Sequence, residues 1–259
     1  MKKNKFSLRS LILSAGGLIF PTITVAASLA GKGKIATLAA LASASAVLAP
    51  TLWRNNSAFG PIFTRFRTSR REVWLTIDDG PYPRETLEML DVLAQFKAEA
   101  TFFLVGNQVE QYPQSISQIL AAGHTIGNHT QNHPVNRFWA LPSSAMQKEI
   151  DDCARSLAAA GAPHSPWFRS PVGMTNPCVH PILARKKLKL IGWHAGGMDG
   201  FISPKTYWQN RIFPRLCPGA ILLLHQLKQG GSAKTLYLLL KHLEQLGYSC
   251  VLPQETALF

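Results

Sequence analysis

From residue 72 to the C-terminus, short apolar runs alternate with longer stretches whose apolar positions follow a helical period. The runs, 73–77, 101–105, 125–127, 167–169, 188–193, 220–224 and 248–252, have strand length. The stretches 84–96, 113–122, 143–160, 177–187, 207–216 and 232–246 predict helices. Strand alternating with helix implies an α/β fold with a mostly parallel sheet, and about seven such units favour closure into a barrel over an open sheet. Residues 72–259 are enough for one core and too few for two.

Upstream the pattern changes. Segments 11–30 and 35–53 are uncharged and largely apolar, and only Gly31-Lys32-Gly33-Lys34 separates them. A hydrocarbon core about 30 Å thick needs roughly 20 apolar residues of helix, so each segment is long enough to span. Residues 1–59 therefore read as a membrane anchor of one or two helices. Residues 60–71, with Pro61 and alternating Arg and Phe, read as a basic linker, and 72–259 as the folded domain. A cleaved secretory signal competes with the anchor, because residues 1–9 form a basic n-region and 24–28 hold small side chains. The second apolar segment has no place in such a signal and favours the anchor.

The net charge of +13 suggests a nucleic-acid or membrane partner, and its distribution decides between the two. Residues 1–71 hold eleven Lys and Arg and no acid, which leaves 72–259 with sixteen basic and fourteen acidic side chains. The domain lacks the basic stripe that nucleic acid requires, and cations flanking apolar segments point to a bilayer instead. If both segments span, the domain shares the side of the N-terminus. Arg54, Arg65, Arg67, Arg70 and Arg71 then favour the cytoplasmic face of a bacterial inner membrane. If only the first spans, the domain is periplasmic. Cys153, Cys178, Cys217 and Cys250 show no CxxC spacing, and Cys250, inside an apolar run, reads as a buried thiol.

The candidate chemistry lies where apolar runs end. Asp78 and Asp79 follow the first run within TIDDGP, and some fifty residues later stands HTQNH, His129 to His133. Alone, Asp-Asp-Gly-Pro is an ordinary turn, and an HxxxH spacing is common. Both, however, sit just past predicted strands, where α/β proteins place their sites. Histidines four apart can share one side of a helical turn. A carboxylate from another strand end then completes a three-ligand face, with positions left open for water and substrate.

In order, TIDDGP, GNHTQNHP (127–134), FRSPVG (168–173), WHAGGMDG (193–200) and LLLH (222–225) fall at successive strand ends. In these segments the chain resembles the polysaccharide deacetylases of the NodB-like type, carbohydrate esterase family 4, from about Glu72 onward. The resemblance implies a distorted (β/α) barrel and a divalent metal, usually zinc, held by Asp79, His129 and His133, with Asp78 as catalytic base. It also implies His225 as general acid, Arg169 as the residue orienting Asp78, and an acid at Asp199. Leu223 would sit beside the acyl methyl group, and Pro171 and Val172 fall on the groove wall. The chemistry agrees: two adjacent carboxylates cannot easily share one metal, and an amide nitrogen leaves only when protonated.

Two departures concern the groove. The family commonly has Arg-Pro-Pro and an aromatic where this chain has Arg169-Ser170-Pro171-Val172, and often Asp-Trp where Gly200 follows Asp199. Both remove aromatic surface on which sugar rings stack. The expected function is removal of an N-acetyl or N-formyl group from an amino sugar of an envelope glycolipid or polysaccharide. The anchor favours a lipid-linked substrate. Two other readings are an exported peptidoglycan or chitooligosaccharide deacetylase and a silent carbohydrate-binding scaffold. His164, His180, His194 and His242 have no role in the pattern.

Overall fold

Six of the seven residues in the first strand, Glu72–Asp78, are buried, and they divide between two faces. Val73, Leu75 and Ile77 join a cluster with Met89, Leu93, Leu236 and Leu239 from the covering helices. Trp74 joins Phe103, Trp167 and Ile221 in another. A strand buried on both sides needs no polar alternation, and its period of two decides which residues enter the barrel interior. Trp74, Thr76 and Asp78 lie on that inner row.

The computed structural model describes residues 23–196, 199 and 211–259. Its strands are β1 (Glu72–Asp78), β2 (Ala100–Leu104), β3 (Thr125–Asn128), β4 (Trp167–Phe168), β5 (Lys189–Leu190), β6 (Ala195–Gly196), β7 (Ile221–His225) and β8 (Ser249–Cys250). The order is β5-β4-β3-β2-β1-β7-β6, with β8 beside the start of β1. All these ladders are parallel. The curled sheet is the distorted barrel expected from the sequence. Its register sets Asp78 level with Phe103 and His225, and Asn128 level with Leu104 and Phe168. Asp79, His129, Arg169 and Gln226 therefore leave their strands at one end.

Helices Pro83–Gln95, Gln114–Ala121, Ser143–Ala159, Val179–Arg185 and Ser232–Gln245 occupy five of the six predicted stretches. Pro83 opens the first of these, where its missing N–H costs nothing. In the sixth stretch, 207–210 lie outside the described residues, and Phe213–Arg215 form a short 3-10 turn. Helix Gly106–Gln111 was not predicted; at six residues it is too short to show a period.

Inside the barrel, Trp74 Nε1 donates to Thr101 Oγ1 at 2.8 Å, and Trp74 meets Trp167 edge-on with ring centroids 5.2 Å apart. This aromatic layer forms a floor beneath the strand ends. Cys153 and Cys250 are buried and unpaired, and burial pushes both thiols up to about 12.

One expected boundary is corrected. Residues 60–71, read as a linker, are built into the barrel. Phe63 donates its N–H to Leu190 O at 3.0 Å and accepts from Gly192 N at 2.8 Å, while Phe66 N donates to Gly219 O at 2.8 Å. Phe63 and Phe66 pack with Trp74 and Ile191, and isolated bridges pair Phe63 with Ile191, Arg65 with Ala220 and Phe66 with Leu258. The domain reaches back to Asn55, whose N–H donates to Gly173 O at 2.9 Å.

Of the first apolar segment, residues 11–22 lie outside the described residues; 23–29 are helical. Gly31, at φ +68°, ends that helix, with Lys32 N donating to Ala27 O at 2.8 Å and Gly31 N to Ser28 O at 3.1 Å. The second segment is the helix Gly33–Leu52. It is the one helix among the described residues long and apolar enough to cross a membrane. Its Leu38, Leu41 and Leu48 are exposed.

Candidate active site

Asp78 ends β1 on the inner row, and in a continuing strand its neighbour would face the other way. Asp79 instead adopts φ +77°, a left-handed conformation that Asp tolerates better than most residues. Both carboxylates thereby line one cleft of about 650 Å³. Gln226 N donates to Asp78 O at 2.8 Å and Val105 N to Gly80 O at 3.0 Å, which pins the turn. A Cβ on Gly80 would lie 1.9 Å from Gln226 Oε1, so only glycine allows Gln226 this close.

His129 follows β3, and His133 lies four residues on, but no helical turn relates them. Thr130 and His133 have φ values of +68° and +49°, and the segment is irregular. Its backbone is bound from outside: Gly106 N donates to Thr130 O at 3.0 Å, Asn107 N to Gln131 O at 2.9 Å, and Gln131 N to Glu149 O at 3.0 Å. The imidazoles still converge, with ring centroids 4.6 Å apart.

Asp79 Oδ1 lies 3.5 Å from His129 Nε2 and 3.3 Å from His133 Nε2. Ligands about 2.0–2.1 Å from a tetrahedral ion of zinc's size stand about 3.3–3.4 Å apart, so the spacing fits a cation at their centre. Asp79 Oδ1 is buried and accepts no hydrogen bond among the described residues, the condition of an oxygen reserved for a cation. Burial opposes the charge on Asp79, yet the two imidazoles hold its carboxyl below the usual range. Burial and the neighbouring His129 push His133 down to about 4, so its ring is an uncharged donor at neutral pH. His129 Nδ1 faces Arg169 O at 2.9 Å; as donor to that carbonyl it leaves Nε2 free for a ligand bond.

The histidine segment depends on residues that sequence reading missed. Glu149 accepts from Asn132 N at 2.9 Å and from Asn132 Nδ2 at 2.7 Å. Gln131 Nε2 donates to Asn107 Oδ1 at 3.0 Å and Glu110 Oε1 at 2.9 Å. Replacing Glu149 by alanine is expected to weaken divalent-cation binding about 10-fold without touching a ligand, the lower range for residues that orient ligands indirectly. Competition against a chromophoric chelator measures this, and unchanged affinity would show that the segment holds its shape without Glu149.

Arg169 leaves β4 into the barrel, where it is 1% exposed. Its Nη1 donates to Asp78 Oδ1 at 2.7 Å and Thr76 Oγ1 at 2.8 Å; Nε donates to Ile191 O at 3.0 Å and Nη2 to Gly192 O at 2.9 Å. The guanidinium stacks over Phe103, 4.3 Å from its centroid. Asp78 is thus held by one oxygen, while Oδ2 faces His129 Nε2 at 3.6 Å.

His225 ends β7 opposite Asp78. Asp199 clamps it twice, accepting from His225 N at 2.7 Å and facing Nδ1 at 2.6 Å. Burial works against an imidazolium here, but the hydrogen bond and charge of Asp199, with Asp79 and Asp78 beyond, push His225 up to about 9. Its protonated form is therefore stabilised by folding at neutral pH and below, and that stabilisation is lost as pH rises through about 9. If this proton is used in turnover, Asp199→Asn lowers the alkaline limb of the pH–rate profile by about one unit or more, toward the ordinary histidine value. An unmoved limb would assign it to another group.

Leu223 and Val172 line the cleft, whereas Pro171 is buried and does not. Val172 sits at φ +50°, a strained conformation for a β-branched residue. Trp193 also lines the cleft, so the wall has an aromatic surface despite the departures in the third and fourth motifs. Sequence reading missed it because Trp193 lies at the other end of the fourth motif from Asp199.

The family model for polysaccharide deacetylase matches residues 66–191. A peptidoglycan-N-acetylglucosamine deacetylase of Bacillus cereus is 33% identical over 189 residues, covering 70% of this chain and 85% of the relative. A chitooligosaccharide deacetylase of Bradyrhizobium is 32% identical over 156 residues, covering 60% and 70%. Among solved structures, a family 4 carbohydrate esterase from Streptomyces lividans in complex with acetate superposes with TM-score 0.65 and 26% identity over 72% of this chain and 95% of that one. The chain belongs to the polysaccharide deacetylase family, hydrolases of non-peptide carbon–nitrogen bonds.

Proposed function

We propose that the protein is a zinc-dependent N-deacetylase acting on an acylated amino sugar of the bacterial envelope. One observation carries the reading: three converging cation donors share a cleft with two separately tethered proton-transfer groups, Asp78 on Arg169 and His225 on Asp199. Asp79, His129 and His133 would hold the cation. When bound, it supplies Lewis-acid activation of the amide carbonyl and of water. Asp78 Oδ2 takes a proton from the attacking water as the carbon–oxygen bond forms. Arg169, bound to Oδ1, fixes that carboxylate in place. His225 gives its proton to the nitrogen as the carbon–nitrogen bond breaks, so the amine leaves neutral and the acyl group leaves as a carboxylic acid. Leu223 provides apolar surface for the acyl methyl, and Trp193 a face for the sugar ring.

Helix Gly33–Leu52, together with the apolar segment 11–30 before it, anchors this activity at the inner membrane, and Arg54, Arg65, Arg67, Arg70 and Arg71 then favour the cytoplasmic face for the domain. The 20 residues of the helix suit the hydrocarbon thickness, and its leucines face outward. The names of the relatives favour a second reading in one respect, an exported domain acting on peptidoglycan or chitooligosaccharide. Mass spectrometry of products after incubation with N-acetyl oligosaccharides and lipid-linked N-acylated sugars tests the substrate. Loss of an acyl group that chelator abolishes and zinc restores is expected. Metal-loaded protein that leaves every substrate intact would refute the reading. A C-terminal reporter fusion separates the two faces.

A further inference from the structure

The end of the apolar helix and the rim of the catalytic cleft are one structure. Helix Gly33–Leu52 is followed directly by Trp53, 72% exposed, then Arg54, then Asn55. Asn55 is fastened to the rim: its N–H donates to Gly173 O at 2.9 Å and its Nδ2 to Trp193 O at 3.0 Å. Arg54 consequently lines the same cleft as Asp78, Asp79, His129, His133 and His225. Among the described residues no carboxylate or carbonyl engages its guanidinium. A tryptophan at the end of an apolar helix marks the membrane–water interface, so a spanning helix would set the cleft mouth at that level.

The groups in the cleft are ordered. Asp78, Asp79, His129 and His133 occupy its depth, which the acylamino group must reach, while Arg54 offers a permanent cation at the rim, in a planar fork suited to phosphate. We infer that the cleft takes its amino sugar from the membrane side as a sugar phosphate, with the phosphate seated on Arg54 and the acylamino group directed toward Asp79. The inference rests on the deacetylase reading and specifies its substrate.

The test uses full-length protein in phosphatidylcholine vesicles, whose neutral surface offers no competing anionic headgroup. Calorimetry compares the methyl phosphodiester of a hexose with its neutral methyl glycoside, the sugar bearing a hydroxyl where the substrate has its acylamino group so that nothing turns over. The phosphodiester binds about 10- to 100-fold tighter, as one charge-assisted contact allows. Arg54→Ala removes that preference and Arg54→Lys keeps part of it. In turnover, an N-acetyl phosphodiester carried on a long alkyl chain in the vesicle shows a lower KM than its soluble methyl counterpart. Equal binding of charged and neutral sugars, or equal weakening of both by Arg54→Ala, overturns the inference whatever the turnover. Equal KM for vesicle-borne and soluble phosphodiesters overturns the membrane source. Absence of any deacetylation refutes the deacetylase reading instead, and the binding comparison stands apart from it.

Discussion

Replacing Asp78 by asparagine is expected to lower kcat by about 10²–10⁴-fold, the usual contribution of a positioned general base. The amide keeps an oxygen for Arg169 Nη1, which now sits 2.7 Å from Oδ1, but the group facing the cleft no longer accepts the water proton. With the cation held, as proposed, by Asp79, His129 and His133, zinc affinity is expected to stay within about 10-fold of the parent. Steady-state kinetics beside zinc titration separates the two effects. A kcat within a few-fold of the parent would move the base elsewhere, whereas joint loss of zinc and activity would make Asp78 a ligand.

Replacing Arg169 by alanine has the largest expected effect on stability. The change removes four hydrogen bonds and leaves Asp78, 2% exposed, without its counter-charge. Removing one partner of a buried ion pair costs about 3–5 kcal/mol. For a domain of this size that lowers Tm by about 6–20 °C. Arg169→Lys retains a charge but not the fork that reaches Asp78, Ile191 and Gly192 together, and recovers only part of the loss. Thermal unfolding by circular dichroism decides. A shift below about 2 °C for Arg169→Ala would mean that Asp78 finds another donor or takes up a proton.

The strands were legible because both faces of β1, β2 and β7 are buried and their runs are continuously apolar. The residues gathered at their ends were legible for the same reason, since parallel strands of matched register deliver Asp78, His129, Arg169 and His225 to one rim. Other features left weaker traces. β6 is two residues long and includes Gly196, so it has no run to detect. The histidine spacing resembled a helical turn, but contacts from Gly106, Asn107 and Glu149, distant in sequence, impose an irregular backbone with the same convergence. Residues 60–71 looked like a linker because Arg65, Arg67, Arg70 and Arg71 outweigh Phe63 and Phe66 in composition, while position decides that the phenylalanines are inside. Trp193 and Arg54 became part of the site only when the fold brought them to the rim.

The aromatic floor carries a consequence for traffic through the site. Trp74, Phe103, Trp167 and Ile221 fill the barrel beneath Arg169, and Arg169 itself plugs the axis above them. Among the described residues this packing closes the barrel below the site, so water and products of the proposed hydrolysis would exchange at the strand-end side alone. There a second hollow, lined by Tyr82, Asn107, Asn132 and Lys228, also reaches Asp79 and His133 and would give small molecules a way past a sugar seated in the main cleft.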